Sequence, residues 1–173
     1  MAISLYDLSV PSYLQITGAV EGFLARAATH FKDNNIDVGT VVDHRLFSDM
    51  LPFRFQIVAV AHHSIGAIRG IKAGLFGPPA PLGELDFAGL QKMVTEARDE
   101  LQKIKPDEVN ACEGKDVVFQ IRDTKIPFTA EGFIQSFSMP NFFFHATTAY
   151  DILRIKGVPL GKRDFLGRMR LKS

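Results

Sequence analysis

The 173-residue sequence predicts one mainly α-helical domain: an antiparallel four-helix bundle with a short β-hairpin inserted before its last long helix. Three observations carry that expectation. Apolar residues recur at helical spacing in long stretches bounded by caps and breakers. A single stretch after Gly114 switches to a period of two. The length suits one domain, and a chain of this size removes about 70% of its unfolded surface from water without disulfide or metal staples.

The first helix is predicted from Pro11 to Lys32, with Ser9 as N-cap and proline in the first turn, where its missing N–H costs little. Leu14, Ile16, Val20, Phe23, Leu24 and Ala27 form its apolar stripe, and Asp33-Asn34-Asn35 ends it. A short helix is expected over Val38 to Leu46. Pro52 opens the second long helix, which carries Ile57, Val60, Ser64, Ile68 and Ile71 on one stripe. Beside it lie Gly66, Gly70 and Gly74, four residues apart. A glycine inside a helix costs up to about 1 kcal/mol relative to alanine, so this spacing implies close approach of another helix, with Gly74 as a C-cap before Gly77-Pro78-Pro79.

Asp86 caps a third helix running to Ile104, with Leu90, Met93, Val94, Ala97 and Leu101 inward. Val117, Phe119 and Ile121 then alternate with Val118, Gln120 and Arg122 as a strand. Asp123-Thr124 make the turn, and Pro127 confines the return strand, Lys125 to Phe128, to an edge. The last helical region runs from Ala130 to Lys156, kinked or restarted by Pro140 and closed by Gly157 and Pro159. Leu160 to Ser173 form a tail.

Composition narrows the function. The net charge of +1 argues against a nucleic-acid binder that works by neutralising phosphates. The one basic-leaning stretch, Lys162 to Lys172, is interrupted by Asp164 and reads as a solvated, frayed tail. Cys112 is the sole cysteine, in a polar loop that reads as surface, which fits a reducing compartment. The N-terminus lacks the basic and apolar regions of a secretory signal, and no run reaches the roughly 18 apolar residues of a membrane span. A cytoplasmic protein without nucleic-acid or membrane partners is expected.

The candidate chemistry centres on histidine. Asn141 and His145 share a face of the last helix, which continues through Thr148, Ala149 and Ile152 into the bundle. On the second long helix His62 and His63 are adjacent, about 100° apart around the axis, so at most one looks squarely inward. Facing helices of a bundle are a common place for metals and small ligands. A usable metal centre needs about three protein ligands. His145 and one of His62 and His63 make two, and nothing in the spacing demands His30 or His44 as a third. Ser64 lacks a nucleophile elbow, and the Gly66–Gly70–Gly74 spacing is neither a dinucleotide fingerprint nor a P-loop. Phe142-Phe143-Phe144 reads as core.

Met139-Pro140-Asn141-Phe142-Phe143-Phe144-His145-Ala146-Thr147-Thr148-Ala149-Tyr150, with Gly161-Lys162-Arg163-Asp164-Phe165-Leu166-Gly167, resembles a family of unknown function. The opening Ser4-Leu5-Tyr6, Val10-Pro11 and Met50-Leu51-Pro52 match it as well. That family is similar to the DinB/YfiT-like metalloenzyme bundles, which often hold a three-histidine metal site. One ligand there comes from the second helix, and two come from a His-x-x-x-His on the last. The resemblance implies that His145 matches the first histidine of that pair and that His62 or His63 matches the second-helix ligand. Ala149 stands where the other last-helix histidine would be, so a zinc or nickel site would be incomplete.

The leading expectation is therefore a bundle that binds a small molecule, or a degenerate metal site, in a cavity around His145. His145 would be a ligand or general acid/base, with Asn141 and Thr148 beside it and Asn141 orienting it. The alternative is a homodimeric interaction protein whose histidines satisfy buried hydrogen bonds.

Overall fold

The computed structural model describes residues 3–81 and 83–172, so Met1, Ala2, Leu82 and the last tail residue Ser173 lie outside the described residues. Helix α1 spans Leu5–Asp33 and therefore begins six residues before the expected start, with Pro11 inside it. Its first-turn N–H groups are satisfied from elsewhere in the chain. Leu5 donates to Glu113 Oε1 (3.1 Å) and Tyr6 to Asn110 Oδ1 (2.9 Å). Asp7 donates to the N-cap Ser4 Oγ (3.2 Å). Those caps offset an internal proline, which costs about 3 kcal/mol in a helix. Ser9 is not a cap; it is buried, and its hydroxyl donates to the Leu5 carbonyl (2.7 Å).

The short helix α2 is limited to Gly39–Val42, because the chain turns after Asp43 and the Phe53 N–H takes the His44 carbonyl (2.8 Å). The second long helix runs from Phe53 to Ala73 in three parts. These are α3 (Phe53–Ala61), a π-helical turn π1 (His62–Gly66) and α4 (Ala67–Ala73). Gly74 ends it in the left-handed region (φ +73°), as its C-cap position predicts. What covers the glycine face is an aromatic ring rather than a helix. A Cβ on Gly70 would lie 2.9 Å from the Phe76 ring.

Phe76 belongs to β1 (Leu75–Phe76), an element the sequence did not signal. Helix α5 (Phe87–Lys103) starts at Asp86, whose carboxylate accepts the Gly89 N–H at 2.7 Å. A short α6 (Pro106–Asn110) follows and buries Cys112, which is 3% exposed and not the surface residue expected. The expected hairpin forms as β2 (Asp116–Ile121) against β3 (Thr124–Thr129), with Val117 opposite Phe128 and Phe119 opposite Ile126. It is two strands of a three-stranded sheet, because β1 adds parallel to β2.

The last helical region comprises α7 (Ala130–Gly132), a second π turn π2 (Phe133–Ser138) and α8 (Met139–Ile155). Pro140 lies in the first turn of α8, where α-helical geometry resumes after the π turn, in keeping with the expected restart. The π turn widens the helix where the proline ring would otherwise meet the carbonyl one turn back. Helix α9 (Lys162–Leu166) occupies the expected tail and packs on α1, tied by Gln15 Nε2 to the Leu166 carbonyl (2.8 Å). Beyond it, residues 168–172 are exposed.

Helix α1 packs on α5 and α8, and α3 packs on the same two, so the apolar stripes close on one core. Tyr13, Phe23, Phe31, Phe53, Phe133 and Phe142 are fully buried in it. The three-phenylalanine run is split: Phe142 is core, whereas Phe144 is 55% exposed. No helix of the described residues is long and apolar enough to cross a membrane.

Candidate functional site

The two π turns meet. In a π turn one residue is inserted and the local hydrogen bonding is displaced, so carbonyls become available to outside donors. The His63 carbonyl in π1 accepts from the Ser138 hydroxyl at the end of π2 (2.9 Å). The Tyr13 hydroxyl on α1 donates to that same Ser138 oxygen (3.1 Å). Burial raises the Tyr13 pKa, which keeps it a neutral donor. Three segments distant in sequence are thereby tied at one polar point inside an apolar core.

Beside this point lies His145 on α8. Its Nδ1 is 2.7 Å from Gln56 Oε1 on α3. Gln56 is buried, and its Nε2 donates to the Leu51 carbonyl (2.7 Å), which fixes the orientation of the amide. Oε1 can therefore only accept, so His145 carries its proton on Nδ1 and keeps the Nε2 lone pair. Burial lowers the His145 pKa to about 4, so the ring is neutral at pH 7. Phe55 and Phe144 stand edge-on to it, with centroids 5.7 and 5.2 Å away.

The structure turns His63 inward, 8% exposed, and leaves His62 half-buried. The His63 and His145 rings are nearly parallel (17°), with centroids 6.0 Å apart, and Phe137 and Phe76 flank His63. His63 Nδ1 is a buried polar atom with no hydrogen-bond partner among the described residues. Burial, with smaller contributions from the His62 and His145 rings, pushes the His63 pKa down to about 3. An unsatisfied buried polar atom costs about 1–3 kcal/mol. His62 is used differently. Its Nε2–H donates to the Gly77 carbonyl (2.7 Å) and its ring stacks on Phe76 (4.4 Å).

The other expected groups do not converge by hydrogen bonding. Asn141 Nδ2 donates to the Phe137 carbonyl (2.7 Å) and the Thr148 hydroxyl to the Phe144 carbonyl (2.8 Å), both within their own helix. The residue that orients His145 is Gln56, not Asn141. Gln56 precedes His63 by seven positions, two turns on the same helix, and that spacing was the available signal.

The residues present do not fit a three-histidine metal centre. His62 commits its Nε2 to Gly77, and Ala149 is fully buried one turn after His145. Among the described residues, no three of His, Cys, Asp and Glu gather closely enough to hold an ion. Nor does His145 line the more open clefts. One of about 670 Å³ lies beyond Phe55, and one of about 290 Å³ lies beside His62.

A model of the domain of unknown function DUF1993 matches residues 5–166. The chain belongs to the DUF1993 family. A comparison with curated proteins returns no match. Among solved structures, this DUF1993 chain is similar to a crystal structure, at 1.83 Å, of a DinB family member protein from Shewanella denitrificans. The TM-score is 0.84 at 23% identity, over 98% of this chain and 95% of that one. At that identity the likeness shows the fold: a mainly helical, DinB-like architecture carrying a small three-stranded sheet.

Proposed function

We propose that this DUF1993 domain is a four-helix bundle of DinB type that binds a small hydrogen-bond-donating molecule at the His145–His63 pair without a metal. The observation that carries the reading is the Gln56–His145 bond, which leaves Nε2 of a neutral imidazole free beside the unpartnered Nδ1 of His63. A lone-pair acceptor at His145 Nε2, beside a second imidazole with an unpartnered nitrogen and walled by phenylalanine rings, suits an O–H or N–H group on an otherwise apolar or aromatic molecule. Binding is favoured over general-base catalysis, because an effective base has a pKa near the working pH, and that of His145 is held at about 4.

The test is an NMR titration with phenol and with small primary amides, observed at the His63 and His145 ring protons. Saturable shifts that vanish in a folded His145→Ala protein are expected. Absence of any shift contradicts the reading, and so does near-stoichiometric zinc or nickel in the purified protein that is lost in His145→Ala.

A second reading is homodimeric assembly without a ligand. It is favoured by Phe144 and Ile155, 55% and 62% exposed and three turns apart on the outer face of α8. Sedimentation showing a dimer that Phe144→Glu converts to monomer would support it, and a clean monomer would remove it.

A further inference from the structure

We propose that the cleft where α1, α5 and the C-terminal tail meet is a binding site for a small phosphomonoester. This inference is independent of the His145 reading, and the cleft shares no residue with the histidine pair. It encloses about 380 Å³ between Pro11, Leu14 and Gly18 of α1, Arg98 of α5, and Arg168 and Arg170 of the tail. That is within the range of small-molecule sites, roughly 300–1,000 Å³.

A defined turn leads the tail there. Gly167 adopts φ +59° and ψ −143°, a conformation that glycine alone reaches at low cost. A Cβ on it would lie 3.0 Å from Ala19 Cβ and 3.1 Å from the Gln15 carbonyl oxygen, so the turn packs directly on α1. Just before it, Gln15 Nε2 donates to the Leu166 carbonyl (2.8 Å). Just after it, Arg170 Nη2 donates to Ser12 Oγ (3.4 Å). The basic stretch that reads as a frayed tail in the sequence therefore turns back along α1.

Charge selects the occupant. Among the described residues, no Asp or Glu lines the cleft. Arg98 is neutralised by Glu21, whose other carboxylate oxygen accepts the Thr95 hydroxyl (2.6 Å). That network orients the guanidinium, and its Nε lies 3.5 Å from where a Cβ on Gly18 would be. Arg168 and Arg170 have no carboxylate partner among the described residues. The excess is therefore two positive charges, beside the apolar side chains of Pro11 and Leu14. A phosphomonoester carries a charge of about −1.5 to −2 near pH 7, with three oxygens that accept from guanidinium forks. It matches that excess, whereas a monoanion leaves half of it uncompensated.

Phenyl phosphate titrated into the full chain, followed by NMR at the arginine Nε–H signals, tests this. Benzenesulfonate serves as a monoanion of similar shape. Saturable shifts at Arg98, Arg168 and Arg170 are expected, with benzenesulfonate about tenfold weaker. Replacing both Arg168→Gln and Arg170→Gln should weaken phenyl phosphate about tenfold. Lys172→Gln removes a charge from the same tail but outside the lining, and should leave binding nearly unchanged. Gly167→Ala misdirects the tail and should weaken binding while helical circular dichroism is kept. His145→Ala should change nothing, so failure of the His145 reading leaves this result intact. The proposal is overturned by absence of saturable shifts at these arginines, by equal affinity for benzenesulfonate, or by equal losses in Lys172→Gln and the double variant. Unaltered binding in Gly167→Ala, or loss of binding in His145→Ala, overturns it too.

Discussion

The two sides of the long helix Phe53–Ala73 differ in kind. Towards π2 and α8 it presents Gln56, bonded to His145, and His63, whose carbonyl is bonded to Ser138 while its ring Nδ1 lies unpartnered among aromatic rings. Towards α5 and residues 77–81 it presents Val58 and His62 beside two open, mostly apolar clefts. Residues 62 and 63 are neighbours in sequence, yet one pins the Gly77 carbonyl and the other faces the core. Their roughly 100° separation around the axis makes this division, within the π turn that contains both.

If the side facing π2 and α8 is as dry as its geometry implies, acid should open it first. Both inward imidazoles have pKa values held below the ordinary 6.5, His145 at about 4 and His63 at about 3. Between 6.5 and those values the unfolded chain binds more protons than the folded one, so stability is full above about 6.5 and falls as pH drops towards 4 and 3. Urea unfolding across that window should show the loss, with a shallower slope in His145→Gln. This is the largest effect expected.

Gln56→Leu should come next, at about 2–4 kcal/mol in the same assay, because it strands both His145 Nδ1 and the Leu51 carbonyl. Gly70→Ala should cost about 1–3 kcal/mol, since the new methyl meets the Phe76 ring at 2.9 Å. Gly66→Ala, whose nearest neighbour is His62 Nδ1 at 3.4 Å, should be close to neutral, which separates ring contact from helix propensity. The smallest effect is that of Asn141→Ala, within about 0.5 kcal/mol and without change at the His145 ring, because its bond stays within its own helix.

Much of the architecture was legible because its causes are local. Asp86 as a cap, Gly74 as a helix stop and the period-two run in β2 are each written within a few residues. Several of the misses have causes that lie outside the local sequence. The start of α1 depends on Asn110 and Glu113, more than a hundred residues away. Strand β1 is two residues long and exists because β2 offers it an edge. The burial of Cys112 depends on α6, too short to show a period. At the site, His145 was readable from its small-residue face, whereas its partner Gln56 was signalled only by lying two turns before His63 on the same helix. A glutamine among apolar residues acquires a role when a histidine arrives from 89 positions away.

The central claim is that Gln56 holds His145 as a neutral Nδ1–H tautomer with a free Nε2. Long-range ¹⁵N–¹H correlation spectra of the histidine rings, followed from pH 7.5 down, test it most directly. The account predicts a protonated Nδ1 and a bare Nε2 for His145, unchanged until the pH falls well below 5. In Gln56→Glu the ring should titrate at a higher pH. An Nε2–H tautomer in the wild type, or titration near 6.5, would contradict it.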